Sequence, residues 1–172
     1  MLNMNMKAMS MNMSNEEIEQ WFIKAYQLAS KSPDESNQNG AVLIGADGKV
    51  LSAGFNRWTR GFEPLPEHLE RPRKYRFIVH AEQGAVLGVN ATGATLICPW
   101  LACAECAKNI VGSGVSHVIG HAQRMATTPD RWKDDVADGN LILDAAGVHR
   151  VYIDHSFGLS FTIKVNGEDW RP

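Results

Sequence analysis

No stretch of this 172-residue chain approaches the roughly 20 consecutive apolar residues that a membrane-spanning helix requires. A charged start followed by an apolar core and a small-residue cleavage site is also missing, so the expected setting is cytoplasmic, with no membrane partner. An excess of one charge sign is lacking too: 17 basic residues face 19 acidic ones, a formal net charge of −2. That balance supplies no broad positive field for gripping DNA or RNA, and a small ligand is expected in preference to nucleic acid. Cysteine is scarce and odd in number, at three. In a reducing compartment the close pair Cys103 and Cys106 is better explained by a metal than by a disulfide framework. No internal repeat and no Pro- or Gly-rich linker divides the chain, while 44% hydrophobic content is enough for one domain with a core and a cleft.

What is present reads as one α/β domain. The methionine-rich opening, residues 1–13, has low complexity and no helical stripe, and is expected to be a flexible leader. Ser14 and Glu17 then form a capping box, with Ile18, Trp21, Phe22, Ala25 and Ala29 at helical spacing, predicting a helix to about Ser30. Gly40 to Ile44, an Asp47-Gly48 turn and Val50 to Phe55 predict a hairpin. Arg57 to Arg76 reads as a long polar connection. Thereafter helices (about His80–Val89, Cys103–Val111 and Arg131–Ala146) alternate with strands (Ala94–Cys98, His117–Gly120 and Val148–Ile153). The single domain spans 14–172, and its last part, 155–172, is expected to be an appendage with a short hairpin around Asn166-Gly167.

Two short segments carry the chemistry. His80-Ala81-Glu82 and Cys103-Ala104-Glu105-Cys106 each open a predicted helix. Free N–H groups and a partial positive charge at a helix start stabilise thiolates, which primes Cys103 and Cys106 as zinc ligands. His80 completes a three-ligand set. Zinc held by three protein ligands keeps a fourth position for water and lowers its pKa to about 7, giving a hydrolytic nucleophile. Glu82 is two residues from a ligand and is the natural proton shuttle. Three alternatives stay open from the residues themselves: a core histidine beside a redox cysteine pair, a solvated Glu82, and a closed structural site in which Cys98 is a fourth ligand. Glu105 is expected to be structural.

The pairing of H-x-E with C-x-x-C matches the zinc deaminase signature. Together with Gly54-Phe55-Asn56, Arg60-Gly61, the run Tyr75 to Glu82, and Cys103 to Lys108 leading into Gly114-Val115, it makes the chain resemble the cytidine and deoxycytidylate deaminase superfamily, closest to the deoxycytidylate branch, over about residues 40 to 150. The resemblance implies a three-layer α/β/α fold around a five-stranded mixed sheet, one catalytic Zn2+ per subunit, a nucleotide substrate, and a homo-oligomer, often a hexamer. It implies hydrolysis of a cytosine nucleotide, dCMP to dUMP with release of ammonia. A modified cytosine nucleotide, a free nucleoside or a nucleic-acid base is an alternative substrate, and a structural zinc domain is the non-enzymatic alternative. Residue by residue, it assigns His80, Cys103 and Cys106 to the metal, Glu82 to catalysis and Asn56 to the sugar and phosphate. Arg60, Ala81, Gly84 and Trp100 are further substrate-binding candidates. Six basic residues outnumber three glutamates between Arg57 and Arg76, a local net of +3 that suits a phosphate. Departures from the pattern fall at Gly84, where asparagine is usual, at Ala102, which replaces a proline, and at Arg57 and Thr59.

Overall fold

The computed structural model describes residues 13–172, so all but the last residue of the expected leader lies outside the described residues. Met13 itself is half-buried and packs on the core. Helix α1 (Asn15–Ala29) starts where the capping box requires: Glu17 N–H donates to Ser14 Oγ (3.2 Å), and Ser14 N–H donates to the Glu17 carboxylate (2.7 Å). Strands β1 (Gly40–Ile44) and β2 (Val50–Phe55) form the predicted antiparallel hairpin. The remaining strands of the main sheet are β5 (Thr95–Ile97), β6 (His117–His121) and β7 (His149–Ile153), giving the order β2-β1-β5-β6-β7. β1 pairs antiparallel with β5, whereas β5, β6 and β7 run parallel, so the five-stranded sheet is mixed.

Parallel neighbours need crossovers, and helices supply them. Helix α3 (Ala104–Ser113) links β5 to β6, while α4 (Ala122–Met125) and α5 (Asp130–Ala145) link β6 to β7. Side chains alternate across the sheet and divide the core in two. Ala41, Leu43, Leu96 and Val118 face the layer built from α2 (Ala81–Val86), α3 and α5. Val42, Ile44, Ile97 and Ile119 face α1. The result is the three-layer α/β/α architecture. Among the described residues, no helix is long and apolar enough to cross a membrane.

Three segments differ in detail from expectation. Helix α2 stops at Val86, because Leu87 is extended (ψ 125°) and Gly88 takes a φ of +75°. The 57–76 connection is an ordered wall, not merely a solvated loop: β3 (Arg57–Trp58) pairs with β4 (Ile78–Val79), two 3₁₀ turns cover Pro66–His68 and Arg73–Arg76, and Phe62 stacks on Phe77 at 4.4 Å. Residues 155–172 form the expected hairpin, β8 (Ile163–Val165) with β9 (Glu168–Trp170). Their Phe157, Phe161, Ile163 and Trp170 complete the α1 side of the core, which covers Ile18, Phe22 and Tyr26.

Candidate metal centre and cleft

Both helix starts predicted to carry ligands present the donor side chains at their caps or first turn. His80 is the N-cap of α2 and Cys103 the N-cap of α3, each with extended backbone, and Cys106 lies in the first turn of α3. His80 Nδ1 lies 3.5 Å from Cys103 Sγ and 3.4 Å from Cys106 Sγ, and the three donor atoms fall within 4.8 Å of one another. Zn–N near 2.05 Å and Zn–S near 2.3 Å in tetrahedral geometry would separate nitrogen from sulfur by about 3.6 Å, so the donor set fits zinc. Cys103 is lowered to a pKa of about 4, first by its hydrogen bond from Cys106 and then by the one from His80, against the upward push of burial. Cys106 is raised as the proton-bearing partner. Without metal the pair therefore shares one proton, and binding zinc would release it as Cys106 also becomes a thiolate.

Cys98 does not join them. Its Sγ accepts from Asn39 Nδ2 (3.2 Å) and donates to the Trp100 carbonyl (3.2 Å), burial holds its thiol protonated, and it lies outside the metal-competent group found among the described residues. The donor set is therefore the open, three-ligand kind rather than a closed Cys₃His site. Glu105 is exposed and pairs with Lys108.

Glu82 is 1% exposed, and its Oε1 has no hydrogen-bond partner. Burial, opposed by His80, raises its carboxyl to a pKa of about 7. A buried carboxylate oxygen without a donor is costly, and a carboxyl poised near neutrality is chemically able to exchange a proton there.

His80 and Glu82 line a narrow cleft. Its lining is in part apolar and aromatic, with Tyr75, Ile78, Trp100 and Trp132, and in part polar, with Asp34, Ser36, Asn37, Asn39 and Asn56, while Arg71, Lys74 and Arg131 add positive charge. Lys74 is buried and ion-paired with Asp34 at 2.6 Å, so the unpaired cations among the described lining residues are Arg71 and Arg131.

The expected substrate residues separate here. Asn56 and Trp100 line the cleft. Asn56 also ties the structure together, since its Oδ1 accepts from Ala81 N–H (2.9 Å) and its Nδ2 donates to the Asn37 carbonyl (2.7 Å). Ala81 is fully buried and contributes through that backbone bond. Arg60 is exposed and stands outside the lining, and Gly84 does not reach the cleft either. A Cβ on Gly84 would point at Gly54 Cα (3.4 Å), and one on Gly54 would lie 2.4 Å from the Ala81 carbonyl. Gly54 thus lets α2 lie directly on β2, whereas a side chain at 84 would begin at ordinary van der Waals distance from that strand. The sequence reading missed Asp34, Ser36, Asn37, Tyr75, Arg131 and Trp132. The polar run after α1 and the Arg131-Trp132 pair opening α5 were the available signals.

The profile of the cytidine and deoxycytidylate deaminase zinc-binding region matches residues 15–122, more than half the chain and both ligand segments. The chain belongs to the cytidine and deoxycytidylate deaminase family. A protein described as an uncharacterized deaminase in the luxG 3′ region of Aliivibrio fischeri is 30% identical, covering 79% of this chain and 95% of that one. The deoxycytidylate deaminase of Homo sapiens is 27% identical over 133 residues, 72% of each chain. In three dimensions, the dCMP deaminase of the cyanophage S-TIM5, solved in complex with dCMP and dUMP, superposes with a TM-score of 0.63 at 24% identity, covering 82% of this chain and 99% of that one. That likeness establishes the deaminase fold. The family is zinc-binding, and zinc is the cofactor.

Proposed function

We propose that this enzyme hydrolyses the 4-amino group of deoxycytidylate, giving deoxyuridylate and ammonia. The observation that carries the reading is a group of three zinc donors beside a buried carboxyl with one free oxygen, with His80 and Glu82 lining a cleft that also offers aromatic and cationic side chains. The names of the curated relatives from Homo sapiens and Pongo abelii support the choice of substrate.

In this reading His80, Cys103 and Cys106 hold zinc, which when bound supplies the Lewis acidity that brings a water's pKa to about 7. Glu82 accepts the proton of the attacking water, delivers it to N3 of the ring, and helps protonate the departing amine. Its raised pKa lets it serve as base and as acid in one turnover. Tyr75, Trp100 and Trp132 bracket the ring, with Trp100 held by its Nε1–H donating to Thr128 Oγ1 (2.8 Å). Arg71 and Arg131 give the phosphate end its positive charge. Cytoplasmic location and homo-oligomeric assembly belong to the same reading. The three free cysteines suit a reducing compartment, and light scattering tests the assembly.

The deciding experiment measures ammonia release by the zinc-loaded protein on dCMP, CMP, dCTP, deoxycytidine, 5-methyl-dCMP and dAMP, with Glu82→Gln as control. Turnover is expected to be strongest on dCMP and lost in the control. No turnover on any of them with zinc bound would overturn the reading.

A further inference from the structure

Arg124 is 1% exposed and, among the described residues, has no carboxylate partner. Its Nη1 donates to Thr127 Oγ1 (2.5 Å) and its Nη2 to Asn37 Oδ1 (2.6 Å), while Nε has no acceptor. Burying a guanidinium against two neutral acceptors is expensive, and an apolar side chain of similar volume would fill the space at lower cost. The arrangement therefore calls for a use of the group's particular chemistry.

That use is visible at Asn37, which lines the cleft. Its backbone is pinned twice: the amide donates to Asp34 Oδ1 (3.1 Å) and the carbonyl accepts from Asn56 Nδ2 (2.7 Å). Asp34 is in turn locked by buried Lys74. Only the side-chain amide could turn, and it has two chemically opposite ends, an accepting oxygen and a donating nitrogen. A guanidinium only donates, so Arg124 can hold Oδ1 and never Nδ2. With Oδ1 taken, the free end of the Asn37 amide is the donor.

We infer that Asn37 is a specificity-determining residue that donates from Nδ2 to an oxygen of the bound nucleotide, and that Arg124 is the positioning residue that fixes the amide in that sense. The inference rests on the nucleotide reading above. The acceptor is a phosphate oxygen, which accepts when ionised, or a pentose oxygen, which has free lone pairs.

Asn37→Asp tests this, because the change is isosteric and gives Arg124 a carboxylate. If Asn37 served structure alone, the variant would be at least as thermostable as the wild type and fully active. The inference predicts the same stability and zinc content but a KM for dCMP raised about 10- to 100-fold with kcat changed less than about threefold, since an acceptor now faces an acceptor. Arg124→Lys, which cannot span Thr127 and Asn37 together, should raise KM about 3- to 10-fold in the same pattern. Deoxycytidine as second substrate separates the sources: a KM rise confined to dCMP assigns the phosphate, and a rise on both assigns the pentose. An unchanged KM on both substrates in folded, zinc-loaded Asn37→Asp, with the wild type active, overturns the inference alone. An inactive zinc-loaded wild type overturns the functional reading and the inference with it.

Discussion

His80 and His121 lie on opposite sides of the same sheet, and their surroundings are built to opposite ends. On the α1 side, His121 is fully buried, with Nε2 against the His155 carbonyl (2.7 Å) and Nδ1 against the Tyr26 hydroxyl (2.5 Å). A carbonyl can only accept, so Nε2 carries the proton, Nδ1 is the acceptor, and Tyr26 donates to it. Both ring nitrogens are thus satisfied, and the aromatic cluster of Phe22, Phe157 and Trp170 closes around them. On the other side, His80 meets two thiols beside a carboxylate oxygen with no partner. The lesson is that burial alone does not mark a functional histidine. Incomplete satisfaction does, because a finished network has nothing left with which to hold a metal or move a proton.

The largest expected effect separates the two sides by chemistry. Glu82→Gln should lower kcat by about 10²- to 10⁴-fold while the zinc stoichiometry, read by atomic absorption, stays unchanged. A glutamine variant with wild-type turnover would remove Glu82 from the reaction.

Next comes a matched steric pair. A Cβ on Gly139 would sit 2.1 Å from the Ala102 carbonyl, beneath the segment that carries Cys103, and one on Gly40 would sit 2.1 Å from the Ala25 carbonyl on α1. Both alanine variants should lose about 2–3 kcal/mol in urea unfolding. Only Gly139→Ala should also weaken zinc retention in a chelator competition, and equal zinc affinity in the two would show that the metal site does not depend on that packing.

Tyr26→Phe leaves His121 Nδ1 buried without a donor and should cost about 1–2 kcal/mol with kcat intact. A drop in kcat for the refolded variant would mean that the two sides are coupled after all.

The smallest effect concerns pH. Burial lowers His121 to a pKa of about 4, against a weaker upward pull from its bond to the His155 carbonyl. The folded-state pKa is depressed, so the unfolded chain takes up a proton first as pH falls below about 6.5. Stability is fully present above that value and declines until the folded state also protonates near 4. Between about pH 7 and about pH 5 the wild type should lose roughly 1–2 kcal/mol from this group, and His121→Gln should show a flatter profile. Parallel profiles would place the acid sensitivity elsewhere.

Much of the fold was legible because its signals are local. Ser14 with Glu17, the Asp47-Gly48 turn, and the strands alternating with helices after Ala94 each depend on residues only a few positions apart, and the structure realises them within a residue or two. The end of α2 was misplaced because apolar spacing continues past Val86 while the backbone turns at Gly88. In the same way, the metal donors could be read from their spacing at two helix starts. Of the residues expected to bind substrate, Trp100 and Asn56 line the cleft whereas Arg60 and Gly84 do not, and nothing in a loop's charge or a motif's alignment says which way the chain faces.

The sequence by itself therefore determined the elements, the donor types and the chemistry they favour, all of which follow from hydrogen-bonding and coordination rules acting over one or two helical turns. Only the tertiary structure decided which groups surround that chemistry. Asn37, Lys74, Arg124 and Trp132 come from four separate segments, and Lys74 reads as one more surface cation until Asp34, 40 residues away, is seen to bury it. Cys98 was sorted from the ligand cysteines in the same way, by Asn39 arriving from 59 residues away to occupy its sulfur. Such contacts depend on how β1, β5 and β6 are ordered in the sheet, and the free energy that sets that order is spread over the whole core rather than written in any one motif.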